Sequence, residues 1–139
     1  MMRLLDTNIL SEIIRPRPDP GVINKLLGHP ASTLFASELT RFELRRGTCL
    51  RDHPDPLWQA ISEQILPIVN WLPLTEPISL NAGNLSAQLR RQGMEIGIVD
   101  TLLAATALTH GMAMVTRNLR HFERVPGLTV ENWFDPAVT

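Results

Sequence analysis

The chain has 139 residues, 44% of them apolar and 19% charged, with a formal net charge of −1. That length and balance suit one domain with a real core, spanning residues 1–139, and exclude a disordered chain or one drawn to nucleic acid by bulk charge. One cysteine, Cys49, excludes an internal disulfide and a cysteine-based zinc site, and no apolar run approaches a membrane span.

Twelve of the thirteen basic residues are Arg, with Lys25 the exception. Arg suits bidentate contacts to phosphate or carboxylate, although codon bias produces the same imbalance. The first apolar stretch, Leu4-Leu5, is cut by Asp6, so no secretory leader is expected and the reducing cytoplasm is the expected compartment.

Met1 to Leu5 predicts a short strand that runs straight into Asp6-Thr7-Asn8. Thr7 or Asn8 is expected to cap a helix from Ile9 to about Ile14, which Arg15-Pro16-Arg17-Pro18 ends. Asp6 therefore stands at a strand's C-terminal end beside a helix N-terminus, a place for a capping, metal-binding or catalytic carboxylate. Asp19-Pro20 opens a second helix, with Val22, Ile23, Leu26 and Leu27 as its apolar stripe.

Ser32 to Ala36 predicts a second strand, and Ser37 or Thr40 then caps a helix through about Arg51. Leu39, Phe42 and Leu50 are expected to face inward, with Arg41, Arg45, Arg46 and Arg51 on a basic side around Glu43. Gly47, one turn beyond Glu43, leaves room for another backbone or a substrate. A further helix runs from His53-Pro54 to Pro67, followed by a weaker strand over Ile68 to Leu74. Ser79 is expected to cap a helix through Arg91, with Leu80, Leu85 and Leu89 inward.

The most informative stretch is Ile98 to Asn118. It predicts a helix with Asp100 in its first turn, a stop at His110-Gly111, a buried strand at Ala113-Met114-Val115, and a polar cluster at Thr116-Arg117-Asn118. A helical turn over Leu119 to Arg124, a last strand over Leu128 to Val130, and a tail in which Asn132-Trp133-Phe134 packs back complete the chain. Strands alternating with helices predict an α/β/α sandwich with a parallel sheet of four or five strands.

Several chemistries are excluded by absence of their motifs. There is no P-loop, no GxGxxG, no HExxH and no GxSxG. The histidines His29, His53, His110 and His121 lie near turns and are expected to be solvated or capping. Acidic residues at element ends remain: Asp6, Glu43 and Asp100, far apart in sequence and assembled only by the fold. Three assembled carboxylates raise one another's pKa, a conflict that hard divalent cations such as Mg²⁺ or Mn²⁺ relieve. Metal-assisted hydrolysis of a phosphodiester is the matching reaction.

Four segments, LLDTNILSEIIR at 4–15, ELTRFELRRG at 38–47, IGIVDTLLAATALTHG at 96–111 and VTRNLRHFERVPGLTVENW at 115–133, carry a resemblance. With them the chain resembles the PIN-domain ribonucleases, and among them the VapC-type toxins of bacterial toxin–antitoxin pairs. The resemblance implies a PIN-like α/β/α sandwich and a Mg²⁺- or Mn²⁺-dependent endoribonuclease acting on RNA such as tRNA or ribosomal RNA. It also implies a homodimer and inhibition by a cognate antitoxin, whose C-terminal segment would lie in the toxin's groove with an Arg on the acids. The family's first, second and third acids fall on Asp6, Glu43 and Asp100, and its hydroxyl near the metal on Thr116. The position that is often a fourth acid is Asn118, which lowers the site's charge. Asn8 would orient the first acid or touch substrate, and Glu38, uncharged in most relatives, is expected to face solvent. Arg41, Arg45, Arg46 and Arg117 would border the site and hold RNA phosphates, or else form a solvated face. Asn118 keeps a second reading open, a catalytically weak PIN domain that serves as a binding or autoregulatory module with its antitoxin.

Overall fold

A computed structural model describes residues 1–136. The expected domain span of 1–139 ends in residues 137–139, which lie outside the described residues. Five strands form one sheet: β1 (Arg3–Leu5), β2 (Leu34–Ser37), β3 (Asn70–Leu72), β4 (Ala113–Val115) and β5 (Val130–Glu131). Their order is β3-β2-β1-β4-β5 and every pairing is parallel. The helices are α1 (Thr7–Glu12), α2 (Pro20–Gly28), α3 (Glu38–Cys49), α4 (Pro54–Gln64), α5 (Glu76–Arg91), α6 (Ile98–His110) and α7 (Leu119–Phe122).

Side chains of a strand alternate between the two faces of its sheet. In β1 and β4, Leu5 and Val115 face one layer, where they meet Ile9 and Leu10 of α1, Val22 of α2 and Ile61 of α4. Leu4 and Met114 face the other, against Leu85 and Leu89 of α5 and Leu103, Ala104 and Ala107 of α6. Covered on both faces, β4 is wholly buried, as its apolar run requires. The result is the expected three-layer sandwich. The tail also packs as expected: Trp133 and Phe134 are buried, and His29 stacks on Trp133 with ring centroids 5.0 Å apart.

The ends of the elements differ from the sequence expectation in instructive ways. Asp6 itself caps α1, its carboxylate accepting from Thr7 N, so neither Thr7 nor Asn8 is the cap. Ser37 caps α3, while Thr40 is fully buried. α5 begins a turn earlier than Ser79, with Thr75 as cap and Pro77 in the first turn, which Pro tolerates because it lacks the N–H that would be unpaired there. β3 shrinks to three residues between a 3₁₀ turn at Leu66–Ile68 and Pro73. β2 starts at Leu34 because Ala31–Thr33 is a 3₁₀ turn, and β5 falls at Val130–Glu131, where it pairs with Met114 and Val115.

Phe42, Leu50 and Leu80, expected inward, are 57%, 69% and 62% exposed, and Leu27 leaves the α2 stripe for solvent. Short helices lying on a small sheet bury only a narrow stripe, so apolar residues at its margin stay wet. Gly111 terminates α6 in the left-handed conformation at φ 65°, as its place after His110 predicts.

Core and margin are separable by mutation. Leu103→Ala removes a fully buried side chain and is expected to cost about 3 kcal/mol of stability in urea unfolding. Leu80→Ala, at an exposed position of α5, is expected to change stability by less than about 0.5 kcal/mol. Equal effects at the two positions would mean that the α5–α6 packing described here is wrong.

Candidate active site

The strand order places β1 between β2 and β4, and the chain leaves β1 toward one edge and returns to β4 on the other side. In open parallel sheets, the crevice at the carboxyl ends of such neighbouring strands is where ligands bind. Asp6 is the residue after β1, and Thr116 is the residue after β4. Asp6 N donates to Val115 O at 2.9 Å, which ties the two strand ends together.

Asp6 is 6% exposed, and both its oxygens are occupied. Oδ1 accepts from Thr7 N at 2.8 Å. Oδ2 accepts from Thr116 Oγ1 at 2.8 Å and from Asn8 Nδ2 at 3.2 Å. Burial pushes the Asp6 pKa up to about 6, against the lowering effect of the Thr116 and Thr7 hydrogen bonds, and the charges of Asp100 and Glu43 push it in the same direction as burial. Those two carboxylates, one from α6 and one from α3, are therefore near enough to act on Asp6. The fold brings together the three acids that lie far apart in sequence.

Each acid reaches the crevice by a different route. Asp100 enters from the first turn of α6, whose N-cap, Gly97, takes φ 88°, a left-handed conformation that favours glycine. Glu43 enters from the middle of α3, and Thr7 Oγ1 donates to its Oε1 at 2.7 Å. Thr7 thus links Asp6 and Glu43 through its N–H and its hydroxyl. Beside Glu43 a cleft of roughly 580 Å³ opens between α1, α3 and α4, lined by Thr7, Ser11, Glu43, Gly47, Thr48 and Arg51 among others. No atom lies within 4 Å of where a Gly47 side chain would begin, so this glycine leaves open space in the cleft.

At the other end of the crevice, Thr116 Oγ1 accepts from Asn118 N at 2.9 Å while its own proton goes to Asp6. Asn8 Oδ1 accepts from Arg117 N at 3.1 Å, so Asn8 spans Asp6 and the loop after β4. His121 Nδ1 lies 2.7 Å from Asp100 Oδ2, and Asn118 Nδ2 lies 3.5 Å from the same oxygen. Among the described residues, no group of three or more carboxylate, imidazole or thiol side chains is gathered closely enough to hold a metal ion by itself.

Two further residues belong to this network. His121, expected to be solvated or capping, contacts both Asp100 and Asn118. Thr7, expected only as a cap, bonds to both Asp6 and Glu43. The arginines divide. Arg41 is held by Glu38 in a two-point contact at 2.7 and 3.2 Å and lies over Trp71, so Glu38 is half-exposed but paired. Arg45 lies over Trp58 at 4.8 Å and Arg117 over Phe134 at 4.3 Å, and among the described residues neither they nor Arg46 has a carboxylate partner.

The raised Asp6 pKa has a sign that can be measured. The folded chain binds this proton more tightly than the unfolded chain, whose carboxyl titrates near 3.8. The contribution of this proton to stability is full below about 4 and is lost as pH rises through about 6. In EDTA, the stability of Asp6→Asn relative to wild type is expected to move in the variant's favour by on the order of 2 kcal/mol between pH 4.5 and pH 7.5, whatever offset its altered hydrogen bonds add at both. Thermal melts of both proteins at the two pH values check this, and a difference that does not change with pH, or changes the other way, contradicts it.

Comparison with known proteins identifies the family. Residues 3–128 match the PIN domain family. Ribonuclease VapC2 of Haemophilus influenzae (strain ATCC 51907 / DSM 11121 / KW20 / Rd) is 35% identical over 94% of this chain and 96% of its own. Toxin FitB of Neisseria gonorrhoeae is 30% identical over 96% of this chain and 100% of its own. The crystal structure of VapBC2 from Rickettsia felis, bound to a DNA fragment from their promoter, superimposes with a TM-score of 0.87 at 27% identity, covering 96% of this chain and 99% of that one. With its crevice at the β1–β4 boundary and a match over most of its length, the chain belongs to the PIN domain family.

Proposed function

We propose that this chain is one PIN domain over residues 1–139 that acts as the toxin of a toxin–antitoxin pair. In this reading it is an endoribonuclease of the cytoplasm that hydrolyses phosphodiester bonds of tRNA or ribosomal RNA. It works as a homodimer with Mg²⁺ or Mn²⁺ and is held inactive by a cognate antitoxin. The observation that carries the reading is a buried Asp6 at the end of β1, with Glu43 joined to it through Thr7 and the charges of Asp100 and Glu43 acting on it. Similarity to a VapC ribonuclease, to the toxin FitB and to a VapBC complex supports the activity and the partner.

The donor set suits a hard cation. Asp6, Asp100 and Glu43 offer oxygen alone, and a buried carboxyl at about 6 gains by having a positive charge beside it. Mg²⁺ keeps several waters and takes one or two carboxylates, so it does not require all three acids gathered at one point. Asp6, Asp100 and Glu43 would hold the ion. When bound, it would activate a water for in-line attack and offset charge on the phosphoryl oxygens.

The protein's own residues do the rest. Thr116 and Thr7 fix the Asp6 carboxylate through hydrogen bonds to opposite oxygens. Thr7 also holds Glu43 in place beside it. Asn8 braces Asp6 against the loop after β4 and sets the backbone of Arg117. Arg117, Arg45 and Arg46 would meet RNA phosphates at the rim, where each guanidinium offers a fork of donors. Arg41 would first have to exchange its partner Glu38.

The direct test is cleavage of total tRNA and ribosomal RNA by purified protein with Mg²⁺ or Mn²⁺. Discrete products are expected from wild type, with none in EDTA and a rate reduced roughly 100-fold or more in Asp100→Asn. Cleavage that survives both treatments would place the chemistry elsewhere. No cleavage under any condition would favour the binding-module reading.

A further inference from the structure

We infer that His121 is a positioning residue that sets the orientation of the Asp100 carboxylate, an inference that rests on the nuclease reading above. The two side chains come from different elements, Asp100 from the start of α6 and His121 from α7. Both backbones are fixed by packing. Leu103 and Ala104 of α6 and Phe122 of α7 are fully buried in one cluster. The imidazole is thus carried on a rigid turn, and the side chains are 38% and 24% exposed for His121 and Asp100.

The inference gives the contact a polarity: with Asp100 Oδ2 as the acceptor, His121 Nδ1, 2.7 Å away, carries the hydrogen. Asn118 Nδ2, 3.0 Å from the same Nδ1, then cannot also donate to it and turns toward Oδ2, at a long 3.5 Å. His121 is the principal donor to this oxygen and Asn118 a weak auxiliary. Among the described residues Asp100 Oδ1 takes no hydrogen bond, and it is the oxygen left for a cation.

Asp6 and Asp100 contrast in this respect. Asp6 is fixed through both oxygens by Thr7, Thr116 and Asn8. Asp100 has one short bond, to His121. The terminal torsion of an aspartate is broad and roughly two-fold, so loss of that bond frees the carboxylate to turn while leaving its charge in place. The position that often carries a fourth acid is Asn118 here, and His121 and Asn118 together supply N–H donors that face the third acid. The site's third carboxylate is clamped where a fourth carboxylate would repel it.

The test uses the full-length protein with His121→Ala, His121→Phe and His121→Asn. Phe keeps the bulk without a donor, and the Asn amide nitrogen can take the place of Nδ1. Mn²⁺ affinity is read by electron paramagnetic resonance, and kcat and KM are read on a cleaved RNA. Expected are roughly 10- to 100-fold losses of Mn²⁺ affinity in the Ala and Phe variants, a fall in kcat at constant KM for RNA, and recovery of most of both in the Asn variant. Wild-type Mn²⁺ affinity in His121→Phe overturns the inference. So does an Asn variant no better than Phe, or a defect confined to the KM for RNA. Long-range ¹H–¹⁵N spectra of the metal-free protein add an arm that needs no nuclease. They are expected to show the hydrogen of His121 on Nδ1, and in Asp100→Ala the mixture of tautomers of a free imidazole. A wild type that binds no Mn²⁺ and cuts no RNA would refute the nuclease reading, and these spectra would still decide the clamp: a hydrogen on Nε2 rejects it.

Discussion

The structure depends on one buried carboxylate between two strand ends. Asp6 is nearly inaccessible, and its neighbours supply a backbone N–H, a hydroxyl and an amide, but no positive charge. Burying a charged group is tolerated only with compensating partners. The compensation here comes from both sides of the β1–β4 boundary, so the carboxylate also serves as a structural joint. Asp6 caps α1, receives the hydroxyl of Thr116 and, through its own N–H, bonds to Val115. Burial outweighs these hydrogen bonds and leaves the Asp6 pKa at about 6.

From this joint the other acids are arranged through hydrogen bonds. Thr7 connects Asp6 to Glu43, Asn8 connects Asp6 to the Arg117 backbone, and His121 connects α7 to Asp100. Hydroxyl and amide groups can orient a carboxylate without neutralising it, which a lysine or arginine in the same place would do. The arginines accordingly stay outside. Arg45 and Arg117 rest on the rings of Trp58 and Phe134 and do not pair with the acids.

Much of this was legible in the sequence, for definite physical reasons. The apolar run Ala113-Met114-Val115 could only be a strand covered on both faces, and alternation with helices implied parallel pairing. Pro and Gly marked most element ends. Asp6 and Thr116 were legible as strand-end residues, and Asp100 as a first-turn residue of a helix. Glu43 was not, since in the middle of an amphipathic helix it looks like any surface acid. Elimination of other chemistries and the resemblance to a family singled it out, but as a residue at an element's end, whereas it sits in the middle of α3. Phe42, Leu50 and Leu80 misled because periodicity cannot tell the centre of a buried stripe from its margin. His121 was hidden for a related reason: its role lies in a contact with a residue twenty-one positions earlier in the chain, and no local pattern encodes such a pairing. Caps were misplaced by one to four residues where two competent side chains stood close together, as with Asp6 and Thr7.

The proposed nuclease activity needs a divalent cation beside Asp6, Asp100 and Glu43. Crystals soaked in Mn²⁺ and measured near the manganese absorption edge test it most directly. The account predicts an anomalous difference peak in contact with the carboxylates of this crevice, abolished in crystals of the Asp6→Asn and Asp100→Asn double variant. A crevice without a peak at saturating Mn²⁺, or a peak bound elsewhere on the molecule, would contradict it.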